Sequence, residues 1–103
     1  MPTYEINKEI VFSSAHITTA DDLLFKGTTP VSTIDGLTVT MLDGGYGFRI
    51  ILDFDALKGF NYTRNGLSEA FANIVSIAKD KECNILILDC DGTYYSWLPQ
   101  YAW

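Results

Sequence analysis

The chain has little of what most metal and redox centres require. Its 103 residues include one histidine and two cysteines, with neither a CxxC nor an HxxxH pair. A structural zinc site would need ligands from distant loops, whereas such ligands usually occur at close spacing. The strand predicted between Cys83 and Cys90 would hold the two thiols about 20 Å apart, which is too far for a disulfide. We therefore expect free thiols, no metal and no cofactor.

Cations and long apolar runs are also scarce. Seven Lys and Arg stand against thirteen Asp and Glu, which gives a net charge of −6 and a pI near 4.4. This balance opposes binding to nucleic acid or to an anionic membrane through a general basic surface. No apolar run approaches the ~20 residues that cross a bilayer, and the first residues lack the basic start and apolar stretch of a signal peptide. We expect a soluble, cytoplasmic protein with no direct nucleic-acid or membrane contact.

Apolar residues, by contrast, are abundant enough for one core. Hydrophobic residues make up 48% of the chain and charged residues 19%, which excludes global disorder. No internal repeat, low-complexity stretch or linker divides the chain. We therefore predict a single compact domain over residues 1–103.

Alternating patterns predict the strands. Apolar and polar residues alternate over residues 4–13, 37–41 and 46–54, and a last strand is expected over residues 93–97, after the Asp91-Gly92 turn. Residues 31–35 form either a short edge strand or the start of the next strand. Ile85–Leu88 is apolar on both alternating faces, which predicts a strand with a neighbour on each side and cover on both faces. Asp43-Gly44-Gly45 supplies the positive-φ residues of a tight hairpin, and Asp91-Gly92 supplies a second turn.

Capping residues and helical spacing predict two helices. Thr18 or Thr19 offers an N-cap for a short helix ending at Gly27, with Asp21 and Asp22 near its positive end. Apolar residues at steps of three and four predict a longer helix over roughly residues 66–81. The element order β-α-β-β-α-β-β predicts an α+β fold. Its sheet would be mostly antiparallel, with four to five strands and both helices on one face.

One short stretch is similar to a catalytic signature. Residues 85–93, ILILDCDGT, resemble the motif of haloacid-dehalogenase-type phosphotransferases. That resemblance implies a nucleophile at Asp89 and a general acid or base at Asp91, both close to magnesium. The family places this motif on its first strand, ahead of its other catalytic residues, whereas only residues 92–103 remain here. We favour the alternative, an Asp-x-Asp-Gly turn between antiparallel strands in which Gly92 takes positive φ.

A weaker catalytic possibility needs several strand ends to converge. The candidate side chains at three predicted strand ends are Ser13, Ser14 and His16, then Asp53 and Asp55, and finally Asp89 and Asp91. If these ends meet, clustered carboxylates could bind a hard metal or raise one another's pKa. His16 could equally hold the loop that enters the first helix, and we favour this structural interpretation.

Aromatic residues are concentrated near the C-terminus. Half of the last ten residues are aromatic, namely Tyr94, Tyr95, Trp97, Tyr101 and Trp103. Tyr and Trp are enriched in binding interfaces because they bury a large area and keep a polar group. These rings either close the core, bind a partner or are buried in a homodimer.

Several segments together resemble a known group of proteins. They are Ile10–Thr18 with Asp21-Asp22, then Tyr46-Gly47-Phe48, Leu67–Ala70, Asp89–Gly92 and Leu98–Trp103. They look like a family of short uncharacterised proteins carried by bacteriophages, plasmids and other mobile elements. The resemblance implies a context, since small acidic proteins of mobile elements often bind and block host defence enzymes.

Our leading hypothesis is a non-enzymatic protein that sterically inhibits a bacterial defence complex, such as a CRISPR effector or a restriction enzyme, in the host cytoplasm. The predicted partner contacts are acidic or aromatic: Asp21, Asp22, Asp43, Asp53, Asp55, Tyr95, Trp97, Tyr101 and Trp103. A homodimer is also possible. The alternatives are a small-ligand or nucleotide-binding sponge with a pocket between helix and sheet, and a magnesium-dependent phosphohydrolase using Asp89 and Asp91.

Overall fold

A computed structural model describes residues 4, 6–28, 31–34, 36–42 and 46–101. Its five strands are β1 (Glu9–Ser13), β2 (Val31–Ile34), β3 (Leu37–Met41), β4 (Gly47–Leu52) and β5 (Ile85–Asp89). Its α-helices are α1 (Thr19–Thr28) and α2 (Glu69–Asp80), and 3₁₀ turns occupy Ser14–His16 and Thr63–Asn65. The predicted α+β class is confirmed.

The five strands form one mixed sheet in the order β1-β5-β4-β3-β2. β1 and β5 run parallel, and the other three pairings are antiparallel. The sheet is therefore mostly antiparallel, as predicted, and β5 has a neighbour on each side. The stretch left open in the sequence is a separate strand, β2, which pairs with β3. The predicted turn Asp43-Gly44-Gly45 lies outside the described residues, between the paired strands β3 and β4.

The strand predicted over residues 93–97 is not found in the described part of the chain, so the predicted element order is wrong at its end. β1 and β4 already occupy both edges of β5, which leaves no edge for a hairpin partner. The chain instead runs along the free edge of β1. There the backbone N–H of Ser13 donates to the carbonyl of Thr93 at 2.9 Å, and the hydroxyl of Tyr95 donates to the carbonyl of Val11 at 2.9 Å.

Both helices pack on one face of the sheet. The ring centroid of Phe25 in α1 lies 5.4 Å from that of Phe48 in β4 and 5.1 Å from that of Phe71 in α2. The alternate strand residues that face these helices are buried: Phe12, Leu37, Val39, Phe48, Ile50, Leu52, Leu86 and Leu88. The opposite face of β4 and β5 is more open, because Ile51 is 38% exposed and Ile87 is only half-buried. On this face of β5, Ile85 is nevertheless only 2% exposed, so the predicted cover is present at Ile85 and incomplete at Ile87.

The element bounds differ modestly from the predicted ones. β1 begins at Glu9 rather than at Tyr4, and the side chains of Tyr4 and Ile6 are exposed. α2 begins at Glu69 because the Ser68 hydroxyl accepts a hydrogen bond from the Phe71 N–H and caps the helix. No helix of the described residues is long and apolar enough to cross a bilayer. Both cysteines are free thiols, as predicted.

Candidate binding surface at the carboxyl ends of β1 and β5

His16 fixes the C-terminal segment, defined here as residues 93–101, over the end of β1. Its side chain is buried, and its Nδ1 lies 2.8 Å from the carbonyl oxygen of Pro99. Its Nε2 accepts a hydrogen bond from the backbone N–H of Tyr95 at 2.9 Å. A neutral ring with its proton on Nδ1 satisfies both contacts. This geometry fits the structural interpretation of His16 and leaves neither ring nitrogen available as a general acid or base.

Further contacts hold the C-terminal segment along its length. The Tyr95 ring centroid lies 5.2 Å from that of Phe12 and 5.2 Å from that of Trp97. Near the end of the segment, the backbone N–H of Tyr101 donates to the carbonyl of Ala15 at 2.8 Å. The segment is thus attached to the body of the protein at several points between Thr93 and Tyr101.

Three aromatic side chains of the C-terminal segment are exposed to solvent. Tyr94 is 57% exposed, Trp97 75% and Tyr101 37%. Tyr95, in contrast, is half-buried and serves mainly to hold the segment. Trp103 lies outside the described residues. We call Tyr94, Trp97 and Tyr101 the aromatic surface.

Asp21, one of the predicted acidic contacts, is fully buried. Its carboxylate accepts hydrogen bonds from the backbone N–H of Ser68 at 2.8 Å and from the Ser68 hydroxyl at 2.5 Å. It also accepts from the backbone N–H of Thr18 at 3.0 Å and from the Thr18 hydroxyl at 3.1 Å. The Thr18 hydroxyl accepts in turn from the Asp21 N–H, which completes a capping box for α1. One buried carboxylate therefore joins the first turns of both helices, and a partner has no access to it.

Asp22 is also withdrawn from the surface. It is 6% exposed, and its carboxylate forms an ion pair with Lys26 at 2.8 Å, one turn further along α1. The sequence placed Asp21 and Asp22 near the positive end of α1 correctly. The expectation that they face a partner is corrected by this burial, because both carboxylates are used within the fold.

The remaining acidic candidates lie elsewhere. Asp53 and Asp55 are exposed in the turn after β4, where the Asp53 carboxylate accepts hydrogen bonds from the N–H groups of Asp55 and Ala56. Asp55 also lies 3.7 Å from the ammonium group of Lys58. Asp43 is outside the described residues. Asp53 and Asp55 keep the exposure that a partner contact requires.

The three strand ends proposed for a catalytic cluster do not converge. β4 runs antiparallel to β5, so Asp53 and Asp55 lie at the opposite end of the sheet from Asp89. β1 and β5 are parallel and place Ser13 beside Asp89, close to His16. The arrangement thus brings together two of the three predicted groups.

Asp89, Cys90 and Asp91 form a tight turn after β5. One ligand atom from each residue lies within 4.8 Å of the others, a spacing that a metal ion could bridge. The Asp89 carboxylate accepts from the Asp91 N–H at 2.9 Å, and the Gly92 N–H donates to the Asp89 carbonyl at 2.9 Å. These hydrogen bonds confirm the turn, but it leads into the C-terminal segment and not into an antiparallel strand.

Gly92 does not have the positive φ expected of it. It is required for a different reason, because a Cβ at this position would lie 2.6 Å from the carbonyl oxygen of Phe12. Only a residue without a side chain lets the turn pass this close to β1. The turn after β5 is therefore packed against the strand whose edge the C-terminal segment follows.

Comparison with protein-family models places the chain in a family. Residues 10–103 match the C-terminal domain of a family of unknown function, DUF5983. The chain belongs to this family. The matched range begins within β1 and includes every later element of the DUF5983 fold described above, together with the C-terminal segment. No curated protein and no solved structure matches the chain.

Ser68 helps to organise the DUF5983 fold and was not among the predicted functional residues. Ser68 both caps α2 and donates to the buried carboxylate of Asp21. Its position just before an amphipathic helix is the usual signal of an N-cap. Its pairing with Asp21, 47 residues earlier in the chain, has no signal in a single sequence.

Proposed function

We propose that this DUF5983 protein acts by binding another protein, and that the partner is a bacterial defence complex that it blocks sterically. The observation that carries the proposal is the aromatic surface. Tyr94, Trp97 and Tyr101 are exposed on a backbone segment that His16 and Tyr95 hold in place.

Exposure and attachment together favour binding. An exposed ring gains free energy when a partner covers it, and Trp and Tyr are the residues that most often dominate interface energetics. A segment already fixed to the protein has less conformational entropy to lose on binding. Trp97, at 75% exposed, has the most surface to bury.

The choice of partner rests on charge and on the resemblance to proteins of mobile elements. The net charge of −6 favours a basic partner surface, such as one that normally holds nucleic acid in a CRISPR effector or a restriction enzyme. Asp53 and Asp55 offer exposed carboxylates for such a surface. A small acidic protein carried by a phage or plasmid would compete there with nucleic acid and inhibit by occupying the site.

The test is an affinity pull-down of the tagged protein from a bacterial lysate that contains CRISPR and restriction systems. The parent chain is compared with Trp97→Ala and with Tyr46→Ala, a matched control because Tyr46 is 65% exposed and lies next to β4. We expect a stoichiometric defence subunit with the parent and the control, and loss of it with Trp97→Ala. Rising salt should weaken the complex. Capture of no defence protein by the parent would contradict the proposal, as would equal capture by Trp97→Ala.

A second candidate function rests on the turn after β5. The ligand atoms of Asp89, Cys90 and Asp91 lie within 4.8 Å of one another, which favours a magnesium-dependent phosphohydrolase. In that case the protein should hydrolyse a generic phosphoester with Mg²⁺, and Asp89→Asn should abolish turnover at unchanged folding. Lack of activity in the parent protein would refute this candidate without a variant.

A further inference from the structure

A cavity of about 440 Å³ opens between β1, α2 and the C-terminal segment. Its apolar lining residues are Ile10, Phe12, Ile77, Tyr95, Trp97 and Leu98. Lys81, just after α2, is the one charged side chain among the described lining residues. Three different parts of the chain therefore build one apolar cavity with a cation at its boundary.

The shape of the cavity suits a small molecule with a planar body. Its volume is within the range of about 300–1,000 Å³ that small-molecule sites usually have. The rings of Tyr95 and Trp97 are inclined at 56° to each other with centroids 5.2 Å apart, so they form an aromatic corner. The hydroxyl of Tyr95 donates a hydrogen bond to the carbonyl of Val11, which fixes the position of the Tyr95 ring.

The positive charge of Lys81 at the boundary of the cavity favours a negatively charged ligand. Within the described residues, no carboxylate forms an ion pair with Lys81. The ammonium group of Lys8 donates to the backbone carbonyl of Lys81 at 3.2 Å, so a second cation lies near the backbone of Lys81 although it does not line the cavity. A ligand with one anionic group would compensate this charge while its apolar body covers the rings.

We propose that this cavity binds a small amphipathic anion, with an aromatic body against Tyr95 and Trp97 and its anionic group at Lys81. Trp97 belongs both to this cavity and to the aromatic surface, but binding of the anion needs only the purified chain and no partner protein. It would give the protein a means of sequestering, or of being regulated by, an aromatic acid.

Two other cavities fit such a ligand less well. One, of about 180 Å³, lies on another side of α2, is lined by Lys58 and Lys79, and is smaller than usual small-molecule sites. The other, of about 400 Å³, is formed mainly by residues 59–63 and has no charged lining residue in the described part of the chain. Lys79 is therefore a matched control for Lys81, since it lies two residues away but lines a different cavity.

The test uses 8-anilinonaphthalene-1-sulfonate, an aromatic sulfonate whose fluorescence rises in apolar sites, with N-phenyl-1-naphthylamine as its uncharged analogue. Isothermal titration and fluorescence are measured on the folded parent chain. We expect one sulfonate per chain, quenching of tryptophan emission, and weaker binding of the uncharged analogue. Lys81→Gln should weaken sulfonate binding about threefold, whereas Lys79→Gln should not.

A second pair of variants tests the aromatic corner. Trp97→Ala should weaken both probes about tenfold, whereas Tyr46→Ala should leave them unchanged. Both side chains are largely exposed, so each variant should fold, and circular dichroism checks this. Absence of binding, several equivalent sites per chain, or equal effects of the paired variants would overturn the proposal. Sulfonate binding without capture of a defence protein would reject the proposed function and leave this inference standing.

Discussion

Asp21→Asn is the most informative test of the fold. The substitution keeps the size of the side chain but replaces one carboxylate oxygen with an NH₂ group. One oxygen, Oδ1, accepts from the Ser68 N–H, and the other, Oδ2, accepts from the Thr18 N–H and from the hydroxyls of Thr18 and Ser68. Whichever oxygen is replaced, the new NH₂ group faces a backbone N–H, so two donors oppose each other in a fully buried site.

The expected cost follows from these contacts. One unsatisfied buried N–H costs about 1–3 kcal/mol, and each remaining hydrogen bond loses about 0.5 kcal/mol when its acceptor is no longer charged. We expect a loss of about 3 kcal/mol in the free energy of unfolding. For a domain of this size, that loss lowers Tm by about 15 °C. Urea denaturation followed by circular dichroism measures the first quantity, and thermal denaturation measures the second.

Asp53→Asn is the matched control for this prediction. The Oδ1 atom of Asp53 accepts from two backbone N–H groups in an exposed turn, and the oxygen of an asparagine can accept the same two bonds. We expect a change within about 0.5 kcal/mol. If Asp21→Asn costs less than about 1 kcal/mol, or no more than the control, the inference that this carboxylate joins the two helices is wrong.

Four further predictions address other parts of the fold. Gly92→Ala should cost about 2 kcal/mol in urea denaturation, since its Cβ would lie 2.6 Å from the carbonyl oxygen of Phe12; an unchanged midpoint would contradict that approach. His16→Ala removes two of the hydrogen bonds that fix the C-terminal segment, so limited proteolysis should cut within residues 93–101 faster than in the parent chain. Burial raises the pKa of the Tyr62 hydroxyl above its ordinary value of 10.0, so the folded protein keeps this proton where the unfolded chain loses it. Below pH 10 this group does not lower the free energy of unfolding, but the free energy of unfolding decreases as the pH rises further. Tyr62→Phe should remove this contribution to the decrease. If the aromatic surface mediates a homodimer, light scattering should report a dimer for the parent and a monomer for Trp97→Ala.

Much of the fold was predictable because local patterns determined it. The spacing of Phe71, Ile74, Val75 and Ala78 marks one face of α2, and all four side chains are buried. The alternation around β3 and β4 likewise predicted two paired strands. In both cases neighbouring residues carry the whole signal.

The errors arose where distant parts of the chain meet. The Asp91-Gly92 turn suggested that the residues after β5 return as a paired strand, yet β1 takes the edge that such a strand would need. Asp21 was expected at the surface because it is charged, but its two hydrogen bonds to Ser68 satisfy the carboxylate inside the protein. A single sequence shows neither pairing. The cluster of C-terminal aromatic residues is evident in the sequence, but the sequence does not show which rings pack against the protein and which are exposed.

The pairing of β1 with β5 has a consequence for how this protein is made. Glu9 lies opposite Ile85, so β1 has no paired strand until β5, far along the chain, has been synthesised. β5 also joins β1 to β4, so a nascent chain that lacks β5 has two disconnected pieces of sheet with apolar residues exposed. The five-stranded sheet should therefore form in one cooperative step that requires β5, and not by addition of strands in chain order.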